Sequence, residues 1–171
     1  MTDASDSDPT SKDWPAPFVS SVMHVKPEWI DYNGHLNMAY YNVLFDQGID
    51  EAFETLGLGA DYVKTRGNSY FTAETHICYI REIGVDDPVR VKVRILDHDA
   101  KKVHVFEELV HAEEGWTSAT LEQMSLHVDM TEKKVSPWPD DIAAAMAAMH
   151  EAHSALPTPP QVGRVIGIKR K

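Results

Sequence analysis

Between residues 38 and 56, apolar side chains recur at intervals of three and four: Met38, Tyr41, Phe45, Ile49, Ala52, Phe53 and Leu56. On a helix this spacing gives one wide apolar stripe. A stripe of that width must be covered, so the rest of the chain has to supply a surface that wraps it. Asn37 reads as the N-cap of this helix and Gly57 as its stop.

The flanking segments supply that surface. Residues 18–25 read as a first strand, 26–34 as a loop carrying Pro, Asp, Asn and Gly, and 59–68 as a connection with room for a short helix. Four strand-like segments follow, at 69–80, 89–96, 103–111 and 116–129. In the second of these, Val89, Val91, Val93 and Ile95 alternate with Arg90, Lys92 and Arg94, the pattern of a half-buried strand with one wet face. The separators are short enough for hairpins, which predicts an antiparallel meander. Residues 140–155 are alanine-rich and helical in pattern. The fold class expected is therefore α+β, an antiparallel sheet of about five strands wrapped around a long central helix. Residues 18–156 would form the single domain, between a disordered tail at 1–17 and an extended tail at 157–171. An open sheet edge needs cover, which points to a second subunit.

Composition excludes several roles. The formal charge of −11 argues against nucleic acid and against anionic membrane surfaces, and is compatible with a cationic small molecule. The N-terminal residues lack the basic and apolar regions of a signal peptide, and the longest apolar run, residues 142–149, is too short to cross a bilayer. A single cysteine, Cys78, fits a reducing, cytoplasmic setting. Nine histidines are present, but none falls in a metal-ligand motif, so no metal is expected. No Gly-x-Ser-x-Gly elbow occurs.

Chemistry concentrates at Asp31-Tyr32-Asn33-Gly34-His35-Leu36-Asn37, where a loop runs into the long helix. Asp31 can act as nucleophile or general base. Gly34 lets backbone approach a ligand, and the free amides of a first helical turn can hold an anionic oxygen. A base beside an oxyanion site serves acyl transfer. The same residues also read as a plain turn and cap.

This segment resembles the D-x-x-G-H-L/M-N motif of hotdog-fold acyl-CoA thioesterases, the 4-hydroxybenzoyl-CoA thioesterase-like group. The resemblance extends from about residue 18 to about residue 141, through the long helix and the stretch ending in Ser136-Pro137-Trp138-Pro139. It implies that Asp31 is the catalytic carboxylate and that the backbone beside Gly34 polarises the thioester carbonyl, with His35 and Asn37 completing the motif. It also implies a homodimer or homotetramer with sites formed between subunits, and no cofactor, since coenzyme A is part of the substrate. Three stretches, Pro27 to Asn37, Thr72 to His76 and Ala119 to Asp129, look like the betainyl-CoA thioesterases of carnitine breakdown. On that likeness Trp29 and Tyr32 would offer π faces to a quaternary ammonium. Glu74, His76 and Glu122 would join the substrate site, although surface pairs and an ion pair explain these three as well. The rival readings are a hotdog enoyl-thioester hydratase and a non-catalytic acyl-thioester-binding subunit.

Overall fold

The computed structural model describes residues 12–168 and residue 170. Along the chain come β1 (Phe18–Val19), β2 (Met23–His24), a 3-10 turn (Pro27–Trp29), α1 (Met38–Glu54), α2 (Ala60–Arg66), β3 (Asn68–Tyr79), β4 (Pro88–His98), β5 (Lys102–His111), β6 (Thr117–Asp129), β7 (Lys134–Val135) and α3 (Asp140–Ser154). The sheet runs β1-β4-β5-β6-β3, antiparallel throughout, with β2 also on β4 and β7 on β6. The expected α+β architecture is present.

Two details differ from the sequence pattern. The expected first strand is two short pieces, because Ser20 spends its hydroxyl on the Val91 amide at 2.9 Å and interrupts the alternation. The four strands are also not one meander: β4, β5 and β6 form it, whereas β3 pairs with β6 and not with β4. Eight connecting residues, 80–87, reach up to about 28 Å, and stepping across three strand spacings takes only about 14 Å. Ile83, fully buried, anchors this crossover in the core, and its carbonyl accepts from the Leu36 amide at 3.0 Å.

Val89, Val91, Val93 and Ile95 face inward with Val103, Val105, Leu109, Ala119 and Leu121, and Leu44, Phe45, Ile49, Ala52 and Phe53 of α1 pack in the same core. Met38, the first residue of the expected stripe, is 66% exposed. The outer face of β4 is drier than alternation implied. Arg94 is buried there, its Nη1 donating to the Pro157 carbonyl at 2.8 Å as the C-terminal segment crosses the sheet. The expected N-terminal tail falls mostly outside the described residues, and within them Trp14 is buried in the core. No helix among the described residues is long and apolar enough to cross a membrane.

The helix approaches β4 closely at Gly48, where an added Cβ would lie 2.4 Å from Val91 Cβ. A helical Gly→Ala change normally favours the helix by up to about 1 kcal/mol. Here the clash with backbone-anchored Val91 dominates, and overpacking of this kind costs about 1–3 kcal/mol. Gly48→Ala should therefore lower the melting temperature by several degrees, as read by thermal unfolding.

His153 of α3 closes the exposed end of β4. Its Nδ1 accepts from the Ile95 amide at 3.0 Å, so Nε2 carries the proton given to the Pro15 carbonyl at 2.9 Å. Burial, assisted by Arg94 and His150, pushes the imidazole below its ordinary value of 6.5, against a raising contribution from the Pro15 bond. The unfolded chain then takes up the proton first, so stability falls as the pH drops below about 6.5. In His153→Gln, which offers an acceptor and a donor without titrating, the melting temperature should fall less over the same pH range.

Candidate active site

The segment before α1 is a closed turn built from its own hydrogen bonds. The Asp31 amide donates to the His35 carbonyl at 2.9 Å, and the Gly34 amide donates to the Asp31 carbonyl at 3.0 Å. Asp31 Oδ1 accepts from the Asn33 amide at 2.8 Å, an Asx turn that fixes the carboxylate and leaves Oδ2 available. Gly34 has φ +84°, a conformation that L side chains rarely adopt. The turn is tied to the body by the Asn37 amide, which donates to the Trp29 carbonyl at 2.9 Å.

Asn37 caps α1, its side-chain oxygen accepting from the Ala39 amide at 3.0 Å. The amides of His35 and Met38 have no acceptor among the described residues. They stand at the positive end of a 17-residue helix. Among the described residues, then, a half-buried carboxylate and two amides without an acceptor fall within eight consecutive residues at the start of one helix; groups of these types serve as base and oxyanion donors in acyl transfer. Gly34 spends its own amide in the turn, so the donor beside it is that of His35.

The other expected site residues are placed as follows. His35 turns its ring to Glu82, Nε2 to Oε2 at 3.1 Å. Trp29 is buried, stacked on Tyr40 with ring centroids 5.4 Å apart, and the Lys26 ammonium lies 5.0 Å from its centroid. A cation already occupies that indole. Tyr32 is 97% exposed.

Glu74, His76 and Glu122 are brought together elsewhere, in a pocket with His104, Met124 and Arg164. This pocket opens on the sheet face away from α1. Glu122 Oε1 is 2.8 Å from His104 Nε2, and Oε2 accepts from the Gly163 amide at 2.7 Å. Within one chain, the structure does not bring this trio to the Asp31 turn. His104 joined it unannounced, because cross-strand register decides which side chains of β5 and β6 meet.

A further carboxylate escaped the sequence reading, although its signal was there: Val103, Val105, Glu107 and Leu109 share the inner face of β5. Glu107 is 0% exposed, and neither of its oxygens has a hydrogen-bond partner among the described residues. Burial, reinforced by Asp46 and Asp50, pushes its carboxyl well above the usual range. Among the described residues, no group of three or more His, Cys, Asp or Glu is placed to hold a metal ion.

The chain is similar to known proteins over most of its length. Residues 25–146 match the Thioesterase-like superfamily. A betainyl-CoA thioesterase of Pseudomonas aeruginosa is 38% identical over 144 residues, 84% of this chain and 91% of that protein. An L-carnitine dehydrogenase/betainyl-CoA thioesterase of a Rhizobium species is 36% identical over 85% of this chain, which spans 29% of that longer protein. Among solved structures, a Staphylococcus aureus protein in complex with CoA superposes with a TM-score of 0.84 at 25% identity, over 92% of this chain and 99% of that one. A Pseudomonas putida protein described as a putative thioesterase gives 0.78 at 30% identity, over 90% and 98%. The chain belongs to the thioesterase-like superfamily and is a thioesterase of the hotdog fold.

Proposed function

We propose that the protein hydrolyses betainyl-CoA to betaine and coenzyme A, with Asp31 as the catalytic carboxylate. The chemistry is hydrolysis of an acyl-CoA thioester to free acid and coenzyme A. The observation that carries the reading is the Asp31 turn: one carboxylate oxygen is held by the Asn33 amide, the other has no hydrogen-bond partner among the described residues, and neither have the amides of His35 and Met38, which follow within the next seven residues. The substrate choice is supported by the 38% identity to a betainyl-CoA thioesterase.

With the thioester carbonyl oxygen on the two amides, charge developing on that oxygen is stabilised where it forms. In one route Asp31 removes a proton from water, the water oxygen bonds to the carbonyl carbon, the C–S bond breaks and the proton passes to the departing thiolate. In the other, Asp31 attacks the carbon itself, the thiolate leaves, and water then hydrolyses the resulting anhydride. Both routes need the same carboxylate in the same place. No metal or cofactor of the protein's own enters either route.

The working unit in this reading is a homodimer in the cytoplasm, paired along β3 with sites formed between the subunits. β3 is a 12-residue strand at the sheet edge, and Phe71, Tyr79 and Ile80 are exposed along it. A long open edge with apolar side chains is a liability unless another strand covers it. Light scattering at micromolar concentration should return at least a dimer, and a monomer would remove this part of the reading.

Asp31→Asn should keep the fold and lose about 100- to 10,000-fold in turnover, the range for loss of a general base, or more if Asp31 is the nucleophile. Binding of coenzyme A should change far less. The measurement is thiol release from betainyl-CoA alongside thermal melting. Wild-type turnover in the variant would leave the turn as structure only.

A further inference from the structure

The betainyl group carries its quaternary nitrogen one methylene from the thioester carbonyl. Whatever recognises that cation must therefore lie beside the Asp31 turn in the working enzyme. Within one chain, Trp29 is already stacked on Tyr40 with the Lys26 ammonium over its ring, and Tyr32 stands almost fully exposed.

Anionic side chains gather at the other end of α1. A groove of about 510 Å³ between the C-terminal half of α1 and the start of β3 is lined by Asp46, Asp50, Glu51, Glu54, Tyr70 and Thr72, among others, and by no lysine, arginine or histidine. Asp46, Asp50 and Glu54 follow at intervals of four and so share one helix face. Glu51 is engaged by the Ser21 amide and hydroxyl, whereas Asp50 holds only the Tyr70 hydroxyl among the hydrogen bonds of the described residues. Asp46 is shifted upward by burial and by Asp50.

Close to two of these carboxylates lies a second sign of a missing partner. Glu107 rises from β5 under α1, wholly buried and without a hydrogen bond to either oxygen among the described residues, within electrostatic reach of Asp46 and Asp50. A buried carboxylate of this kind is costly unless it is protonated or faces a cation.

Within one chain the groove is too far from the turn. Asp46 lies eight residues along α1 from Met38, about 12 Å of helix rise. Pairing across β3 removes the distance. α1 runs opposite to β3: Tyr41 of its first turn meets Tyr79 at 5.0 Å, and Phe53 near its end meets Tyr70 at 4.8 Å. When two copies of β3 pair antiparallel about the strand's middle, the Tyr79 end of one lies against the Tyr70 end of the other. The Asp31 turn of one copy then faces the acidic groove of its partner.

We infer that this groove is the cation subsite for the acyl group, with Asp46 and Asp50 beside the quaternary ammonium and Glu107 below it, serving the Asp31 turn of the other subunit. The inference rests on the dimeric betainyl-CoA thioesterase reading above. A trimethylammonium group donates no hydrogen bond, so unpaired carboxylates acting through charge alone suit it. Coulomb attraction close to a carboxylate is strong enough that neutralising one of them should change recognition by about tenfold.

The test compares kcat/KM for betainyl-CoA with that for tert-butylacetyl-CoA, its uncharged isostere, in the wild type and in Asp46→Asn, Asp50→Asn and Glu107→Gln. The wild type should prefer betainyl-CoA, and the ratio should fall by about tenfold in each Asp variant. A preference that survives unchanged in all three variants overturns the subsite and leaves the substrate reading standing. A wild type without preference overturns both, and absence of thiol release from either substrate overturns the hydrolase as well. If Glu107→Gln fails to fold, the two Asp variants, whose side chains are exposed, decide the matter alone. The placement between subunits has its own readout. Mixing Asp31→Asn protein with an Asp46→Asn/Asp50→Asn double variant should restore betainyl-CoA hydrolysis well above the sum of the two, because a mixed dimer carries one intact site. No recovery, with subunit exchange verified by mass, overturns the arrangement across the dimer.

Discussion

The burial of one helix against one sheet governs the rest of this molecule. α1 lies so close to β4 that glycine is required where it crosses Val91, and Leu44, Phe45, Ile49, Ala52 and Phe53 seal the contact. The leucine, isoleucine and phenylalanine side chains among them each contribute roughly 1.5–3 kcal/mol on leaving water. A rod held this firmly fixes both of its ends. One end presents the capped turn with Asp31; the C-terminal half presents a face of carboxylates, Asp46, Asp50 and Glu54, with no cationic partner among the described residues.

In the proposed reading, the turn at the first end is held ready for catalysis by its own hydrogen bonds. Its amides and carbonyls satisfy one another, Asn37 caps the helix, and the crossover at Ile83 holds Leu36 from behind. What remains unspent is one carboxylate oxygen and two amides. Groups fixed in advance in this way need no reorganisation when charge develops, which is the main advantage of a preorganised site over water.

At the second end the electrostatics run against folding. Glu107 sits in the core without a hydrogen bond among the described residues, and Asp46 and Asp50 raise its proton affinity further. Elsewhere buried charge is compensated: Arg94 under the C-terminal segment donates to a carbonyl and lies over Phe106, and the Glu122 carboxylate has both His104 and the Gly163 amide. The contrast singles out Glu107 as a buried acid with no compensating partner among the described residues, and in the proposed subsite a bound cation offsets that cost.

Much of this was legible in the residues alone. The three-and-four spacing announced α1, the two-residue alternation announced the inner face of β4, and Asn37 and Gly57 marked the helix ends, because these are local consequences of backbone period and capping. The Asp31 turn was legible for the same reason, since its hydrogen bonds join residues at most a few positions apart. The inner-facing Glu107 could have been read from the alternation of β5, but only packing shows that no partner reaches it. Tertiary structure alone decided the strand order, in which β3 lies beside β6, because an eight-residue connection is compatible with a hairpin or a crossover. It alone gathered Glu74, His76 and Glu122 in a pocket apart from the turn within one chain, and it alone brought Glu107 within electrostatic reach of Asp46 and Asp50. Contacts between residues distant in sequence depend on register and on which face each strand turns inward, and no local pattern carries that information.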